Sequence, residues 1–226
     1  MRTNFEEALA RYIELFPASP FFETWVPREK FLSAIFDGDG NILISREDDG
    51  VYGIAIGPSP AIPVEWKNFS MESKGIASLP ADFKAVAEWD AYWAPTVAGE
   101  YEKNDAATDS EIEEFLIAHA PNSSVFPGNS EIQEWVQIHR DGKLAGVAAI
   151  CKWESGHLVI ASVATHTDMR GQGIGKELMR NTLIDGDRLG AKELSLGVMH
   201  SNTSAQRLYA SLGFTLMHHF TYCERR

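Results

Sequence analysis

A glycine-rich segment, residues 169–176, most constrains how this chain can fold. It follows an apolar run at 157–165 and begins an amphipathic stretch that reaches Leu189, so the order is strand, turn and helix. Backbone N–H groups at a helix start can bind a phosphate when no bulky side chains are in the way. Glycines allow that close approach. The segment therefore predicts a site for a phosphorylated cofactor.

Three nucleotide-binding patterns compete for this segment. A Walker loop requires Ser or Thr after Gly175-Lys176, but Glu177 stands there. The dinucleotide pattern requires a glycine three residues after Gly173, whereas the next one follows after two. The pattern that remains is Arg170, any two residues, Gly173, any residue and Gly175. A tight strand-to-helix connection without a ligand is the alternative.

A second motif lies downstream, at residues 202–214. It resembles the signature N-x-x-A-x-x-L-Y-x-x-x-G-F of the GCN5-related N-acetyltransferase (GNAT) family at every fixed position, and the segment from Arg170 to Gly175 resembles the pyrophosphate loop of the same family. The resemblance covers roughly residues 108–226. It implies an α/β protein with the GNAT acyl-CoA N-acyltransferase fold. That fold has a mixed, mostly antiparallel sheet flanked by helices, preceded here by an N-terminal α+β extension.

The resemblance also implies that acetyl-CoA is the acyl donor and assigns residues to it. The main chain of Val163, Ala164 and Thr165 would pair with the pantetheine arm like an added strand. Asn202 would hydrogen-bond to that arm, and Tyr209 would lie near the cofactor sulfur as the catalytic residue. The pyrophosphate would contact the residues of the glycine-rich loop: Arg170, Gly171, Gln172, Gly173, Ile174, Gly175 and Lys176.

The free-energy cost of proton transfer limits the role that Tyr209 can have. A free tyrosine has a pKa of about 10 and an alkyl thiol about 8.5, so complete proton transfer to the leaving thiolate is uphill by about 2 kcal/mol. A hydrogen bond that strengthens as the sulfur gains charge is therefore expected instead. The alternative is that Tyr209 is only a core aromatic residue on a short helix.

The sequence does not identify a general base. An amine with a pKa of about 10 is mostly protonated at neutral pH, so a group or a water relay should accept its proton. Some family members carry a glutamate at positions that correspond to Val159 and Gly197, and this chain has neither. The remaining candidates are more typical of surface or strand-end residues: His157, Glu134, His119 and His166.

Composition excludes several classes of protein. The chain has 226 residues and only two cysteines, Cys151 and Cys223, too few for a disulfide scaffold. No Cys/His cluster has metal-ligand spacing, and the neighbours His218 and His219 would point to opposite faces of a strand, so no metal is expected. No apolar run approaches the ~18 residues that cross a membrane. Acidic residues such as Glu6 interrupt the N-terminus, and the prediction is a cytoplasmic protein.

Charge is unevenly distributed. Counting Lys and Arg against Asp and Glu gives 9 − 22 = −13 for residues 1–126 and 11 − 10 = +1 for residues 127–226, which sum to the net −12. The acidic first half disfavours nucleic acid and anionic membrane as partners. It suits a cationic amine acceptor of small-molecule or peptide type, and a solubilising surface is an equally good interpretation. The assembly state is left open, with a homodimer as one option.

Two domains are predicted: 1–107, of unassigned role, and 108–226, the acetyltransferase domain. In the first, a capping box at Thr3 begins a helix that ends before Pro17, and two strands around residues 41–56 form a hairpin. Residues 57–82 are predicted as a loop or extended segment, 81–93 as a helix and 94–107 as a linker or exposed loop. The region could be a degenerate second half or an acceptor-side arm.

The second domain is easier to interpret. Thr108 starts a capping box and a helix through His119, and Asp141-Gly142 joins two strands. A third strand, the helix after the glycine loop, a fourth strand, the helix of the second motif and a final strand follow.

Two functions of different class fit this sequence. The first is an acetyl-CoA-dependent N-acetyltransferase, and the second is a noncatalytic acyl-CoA-binding module or sensor. The absent glutamates favour the sensor, whereas Asn202 and Tyr209 favour the enzyme. A tRNA-dependent transferase is disfavoured by the acidic first half. The aromatic residues Phe83, Trp89, Tyr92 and Trp93 either wall an acceptor pocket or pack in the core, and the core is favoured.

Overall fold

A computed structural model describes residues 3–103 and 106–226 of the chain. Their contacts divide the protein into two compact units, each assembled from separated stretches of sequence. The first unit contains the chain up to Tyr92, Val198–Thr203 and Leu216–Arg226, and the second contains Trp93–Gly197 and Ser204–Thr215. The domain limits 1–107 and 108–226 stay a prediction.

The described residues contain five α-helices and ten strands. The helices are α1 (Phe5–Leu15), α2 (Phe21–Trp25), α3 (Asp109–His119), α4 (Ile174–Arg188) and α5 (Thr203–Ser211). The strands are β1 (Phe31–Phe36), β2 (Ile42–Glu47), β3 (Val51–Ile56), β4 (Asn68–Glu72), β5 (Phe83–Pro95), β6 (Ile132–Arg140), β7 (Lys143–Lys152), β8 (Leu158–Thr165), β9 (Glu193–Met199) and β10 (Thr215–Arg225). The fold is a mixed, mostly antiparallel sheet with flanking helices, as predicted.

The first unit has the strand order β1-β2-β3-β4-β10-β5. Strands β1, β2 and β3 form an antiparallel meander, and the predicted hairpin of β2 and β3 is confirmed. Strand β4 runs parallel to β3 and antiparallel to β10. A buried cluster holds this sheet: Leu43, Ala55, Trp66, Phe69, Met71, Phe83 and Cys223.

The start of α1 differs from the prediction by one residue. The N-cap is Asn4, whose side chain accepts a hydrogen bond from the Glu7 backbone N–H at 3.0 Å. Thr3 bonds instead to the carbonyl of Ala34, and its hydroxyl lies 3.0 Å from that oxygen. The capping box predicted at Thr3 is therefore wrong, because a long-range strand contact uses that side chain.

One other local prediction in the first unit is wrong. Residues 81–93 form most of strand β5 rather than a helix, whereas the predicted loop or extended segment 57–82 contains strand β4. Phe83 lies in the buried cluster and the Trp89 ring stacks on Phe220 at 4.9 Å, so these two aromatic residues pack in the core. Pairing with strands from distant parts of the chain outweighs the local spacing of apolar residues.

The second unit has the strand order β9-β8-β7-β6. Strands β6 and β7 form the predicted hairpin, and both turn residues have positive φ, 51° at Asp141 and 72° at Gly142. Helix α3 begins with the predicted capping box. Thr108 and Glu111 each accept a hydrogen bond from the other's backbone N–H.

Helices α3 and α4 cover opposite faces of the second unit's sheet. Helix α3 packs against Val147 and Ala164. A Cβ placed on Gly146, the neighbour of Val147, would lie 3.1 Å from Ile174 and 3.4 Å from Leu178 on α4. Successive strand residues point to opposite faces, so the two helices enclose the sheet between them.

The segment predicted as a linker or exposed loop is hydrogen-bonded to α4 and to the turn between α4 and β9. The Thr96 N–H donates to the Lys192 carbonyl at 3.0 Å, and the Val97 N–H donates to the Leu183 carbonyl at 3.3 Å. The Tyr101 hydroxyl donates to the buried carboxylate of Asp185. Residues 104 and 105 lie outside the described residues.

None of the helices in the described parts of the chain is long and apolar enough to cross a membrane.

Candidate functional site

The glycine-rich loop presents backbone N–H groups at the start of α4. Gly171 and Gly173 have φ values of 79° and 84°, the left-handed region that favours glycine. Gly173 is the N-cap of α4, and no side chain caps the helix there. The N–H groups of residues 171–175 donate to no protein acceptor in the described chain. Such a set of unpaired donors at the positive end of a helix dipole fits an anionic phosphate.

Strand β8 has a bulge directly before the loop. Val147 pairs with Ala164 and Ala149 with Ala161, so Ser162 and Val163 together face one residue of β7. Ser162 has a φ of 50°, unusual for a residue with a side chain. Its hydroxyl donates to the Val125 carbonyl at 2.7 Å and accepts from the Val125 N–H at 3.0 Å. No local sequence pattern indicates this bulge, because its partner Val125 lies in a loop without a regular pattern.

The edge of β8 opposite β7 is largely open. Val159 and Ser195 form the parallel pair between β8 and β9, and no other pair joins these strands among the described residues. Beyond this pair, Val163, Ala164 and Thr165 have no ladder partner on β9 among the described residues. An open strand edge accepts an extended ligand through main-chain hydrogen bonds. The bulge redirects the strand at the same place.

The loop and the helix of the second motif are close neighbours in the second unit. A Cβ placed on Gly175 would lie 3.2 Å from Leu208 on α5 and 3.7 Å from Thr165 on β8. The absence of a side chain at Gly175 thus lets α4 start against both elements. Tyr209 follows Leu208 on α5, so the predicted catalytic residue is the chain neighbour of a residue that packs on the glycine loop.

Tyr209 itself is buried. Its side chain is 5% exposed, its ring lies 5.5 Å from that of Phe214, and burial raises the pKa of its hydroxyl to about 12. Asn202 lies directly before α5, and its N–H donates to the Met199 carbonyl at 2.8 Å. The predicted helix is therefore present, and the hydroxyl of Tyr209 is buried on it.

Arg170 connects the loop to α3. Its guanidinium donates to the His119 carbonyl at 3.1 Å, a favourable position for a cation at a helix C-terminus. The His119 ring lies 4.1 Å from that of His166, and burial together with His166 and Arg170 lowers the pKa of His119. Gln172 and Lys176 are exposed beside these groups.

The candidate bases are scattered. Val159, at one of the family's glutamate positions, packs in a buried cluster with Val125, Ala149 and Cys151. His157 precedes the first residue of β8, about 25 Å along the strand from its end at Thr165. Glu134 is ion-paired with Lys103. His119 and His166 flank the loop instead, where Arg170 already supplies positive charge.

The chain is similar to known acetyltransferases in sequence. The model of the acetyltransferase (GNAT) family matches residues 88–214, more than half of the chain. A streptothricin acetyltransferase from Streptomyces lavendulae is 28% identical over 153 residues, which are 61% of this chain and 79% of that protein. The L-methionine sulfoximine/L-methionine sulfone acetyltransferase of Salmonella typhimurium is 30% identical over 80 residues, 34% of this chain and 47% of that protein.

A solved structure extends the likeness in fold to the whole chain. The GCN5-related N-acetyltransferase from Kribbella flavida superposes with a TM-score of 0.54 at 16% sequence identity, covering 100% of this chain and 96% of that protein. Its fold therefore includes a counterpart of the N-terminal region. The family match, the two relatives and this fold agree: the chain belongs to the GNAT family of acetyltransferases and is an acyltransferase.

Proposed function

We propose that this acyltransferase moves the acetyl group of acetyl-CoA to a primary amine of a small molecule or peptide by direct attack of the amine. GNAT acetyltransferases generally use acyl-CoA donors. The observation that carries the proposal is the open edge of β8, which leads directly into unpaired N–H groups at the start of α4. An extended pantetheine arm ending in a pyrophosphate has the shape and charge for this pair of features.

The chain's residues divide the work of binding. Main-chain groups of residues 163–165 pair with the pantetheine amides, and Asn202 hydrogen-bonds to the same arm. The loop from Arg170 to Lys176 takes the pyrophosphate, with Gly171 and Gly173 keeping the approach clear. The bulge at Ser162 fixes the direction of the strand. These contacts hold the thioester while the amine attacks, which lowers the entropic cost of bringing the two together.

Tyr209 assists the leaving thiolate by hydrogen bonding. With a pKa of about 12 for its hydroxyl and about 8.5 for an alkyl thiol, complete proton transfer would cost about 3.5 × 1.36, or about 5 kcal/mol. A donated hydrogen bond carries no such cost and strengthens as negative charge collects on sulfur. The buried position supports this role, because an apolar environment strengthens a charge-assisted hydrogen bond.

A small, basic amine is the acceptor class that we favour. The negative charge of residues 1–126, −13, attracts cations. The two curated relatives are named for acetylation of streptothricin and of methionine sulfoximine or sulfone, which are small molecules. The N-terminal region and loops on the acceptor side carry no sequence motif that indicates one particular acceptor.

The test is the release of free thiol from acetyl-CoA, measured against a panel of polyamines, amino acids, aminoglycoside-type amines and short peptides. We expect one acceptor class to raise the rate far above the hydrolysis rate without acceptor, and mass spectrometry should find the acceptor heavier by one acetyl group. Thiol release that no amine accelerates, from protein that binds acetyl-CoA, would contradict the proposal. Propionyl-CoA run in parallel reports the acyl-chain preference.

A further inference from the structure

Three separated segments of the first unit bring potential metal ligands together. Glu88 lies on β5, His200 in the turn after β9 and His219 on β10, and one ligand atom from each lies within 4.8 Å of the others. These residues are far apart in sequence, so no spacing pattern reveals them. The prediction that the protein binds no metal depends on the spacing of Cys and His residues along the sequence, which cannot reveal such a cluster.

His219 supplies the first independent sign of a ligand. Its neighbour His218 points to the other face of β10, where its imidazole bonds to Glu72 at 2.8 Å and to Tyr12 at 2.6 Å. The Nε2 atom of His219 is buried and has no hydrogen-bond partner among the described residues. A buried nitrogen without a partner is rare and calls for a water or an ion.

His200 is oriented by a buried carboxylate. Its Nδ1 lies 3.1 Å from both oxygens of Asp90, whose side chain is 2% exposed. The backbone N–H of His200 also donates to the Glu88 carbonyl at 2.9 Å, which fixes the turn against β5. In the tautomer that donates from Nδ1, the lone pair is on Nε2. A carboxylate that fixes the tautomer in this way is the usual support for a metal-binding histidine.

We propose that Glu88, His200 and His219 bind a divalent transition cation of the zinc class. Two imidazole nitrogens and one carboxylate oxygen are a ligand set that Zn²⁺ accepts, with water completing the coordination. The cation would give the Nε2 atom of His219 its partner. The two rings are stacked at 4.0 Å and 13°, so binding of one ion by both nitrogens would require the rings to tilt away from parallel.

The consequence is a link between parts of the first unit. Strand β5, the turn after β9 and strand β10 would share one ion, and its binding would stabilise that unit independently of acetyl transfer. A second stacked pair, His119 and His166 at 4.1 Å, provides a comparison. No third His, Cys, Asp or Glu completes a cluster with that pair within the described chain.

The test uses tag-free, chelator-treated full-length protein titrated with Zn²⁺ by calorimetry and with Co²⁺ by visible absorption. Wild type should bind one equivalent, and Glu88→Gln, His200→Gln and His219→Gln should each weaken binding by more than roughly tenfold. Asp90→Asn, which alters only the support of His200, should weaken it roughly 10- to 100-fold. The matched control His166→Gln should bind like wild type.

Two results would overturn the proposal. One is binding by wild type that is no tighter than binding by His219→Gln. The other is loss of binding in His166→Gln with retention in the three ligand variants. Because Glu88 is exposed, Glu88→Gln keeps the fold, and its thermal unfolding without metal serves as the check on folding. If Zn²⁺ raises the Tm of wild type but not of Glu88→Gln, the ion binds at this cluster.

Discussion

The two units share an order of elements but differ at one strand pair. Each has a helical segment, then a meander of three antiparallel strands, then a strand parallel to the third: β1-β2-β3 with β4, and β6-β7-β8 with β9. Strands β3 and β4 share four consecutive pairs, from Tyr52 with Asn68 to Ala55 with Met71. Strands β8 and β9 share one in the described residues. A closed pair leaves no edge for an added strand, whereas an open pair provides one.

The two units also differ in the segment that connects their parallel strands. Between β8 and β9 lie the glycine loop and α4. Between β3 and β4 lies a short segment without an α-helix, and its Trp66, fully buried, packs so closely on Gly53 that no Cβ would fit there. The first unit therefore has a buried indole in the connection that, in the second unit, carries the glycine loop and α4. This shared order favours interpreting the N-terminal region as a degenerate half.

The largest expected effect is a loss of stability at the closed pair of strands, β3 and β4. Trp66→Ala should lower the free energy of unfolding by about 3–5 kcal/mol, because it leaves a cavity beside Gly53 and removes the indole hydrogen bond to Ser45. Urea unfolding at constant pH measures this loss. Acetyl-CoA affinity of the folded variant should stay within about twofold of wild type, and Trp66→Phe should lose less stability. A large fall in affinity would mean that the two regions are not functionally separate.

Lowering the pH should also reduce the stability of the first unit more than that of the second. Burial opposes ionisation of Glu72, but hydrogen bonds from His218, Lys74 and the Gly57 N–H outweigh it and lower its pKa to about 2. An unfolded glutamate has a pKa of about 4.3, so this group stabilises the fold by about 3 kcal/mol above pH 5, and about half is lost by pH 3. Unfolding at pH 6 and pH 3 should therefore show a larger loss for wild type than for Glu72→Gln. Equal losses would remove this carboxylate from the account.

At the open pair of strands, β8 and β9, a substitution in the glycine loop before α4 should weaken acetyl-CoA binding. In Gly173→Val a branched side chain meets a φ of 84° and blocks the approach of a phosphate, so acetyl-CoA affinity should fall by roughly 30- to 150-fold, about 2–3 kcal/mol. Calorimetric titration measures this change. Gly156→Val is the matched control, because Gly156 also has a φ of 84° with open space around it and lies in a hairpin turn. It should lose stability but bind acetyl-CoA normally, and an equal loss of affinity would contradict the loop assignment.

The smallest effect concerns the hydroxyl of Tyr209. Tyr209→Phe should leave acetyl-CoA binding intact and lower kcat roughly 10- to 100-fold, about 1.4–2.7 kcal/mol, because the thiolate loses one hydrogen bond. Tyr52→Phe in the first unit is the control: that hydroxyl bonds to Ser70 at 2.7 Å and should not affect turnover. Unchanged kcat in Tyr209→Phe would remove the residue from the mechanism.

The second unit was predictable from sequence because its signals are local. The capping box at Thr108, the turn at Asp141-Gly142 and the loop before α4 each depend on residues within a few positions of one another. The energies that stabilise such features come mainly from residues close in sequence. The elements they define therefore lie where the pattern predicts them, within a few residues.

The features that sequence reasoning missed depend on partners far along the chain. Strand β4 buries Glu72 because Gly57 and His218 supply its hydrogen bonds. The bulge at Ser162 depends on Val125, and the aromatic residues of β5 have a spacing that also suits a helix. Local patterns in a sequence carry no record of such distant pairings.

The central claim is that acetyl-CoA binds along the open edge of β8 and the start of α4. Backbone hydrogen exchange with and without saturating acetyl-CoA tests it most directly. We predict slower exchange in peptides that cover residues 163–176 and unchanged exchange in those that cover residues 51–57 of the closed pair. Unchanged exchange across residues 163–176 in protein that binds acetyl-CoA, or equal protection of both regions, would contradict the account.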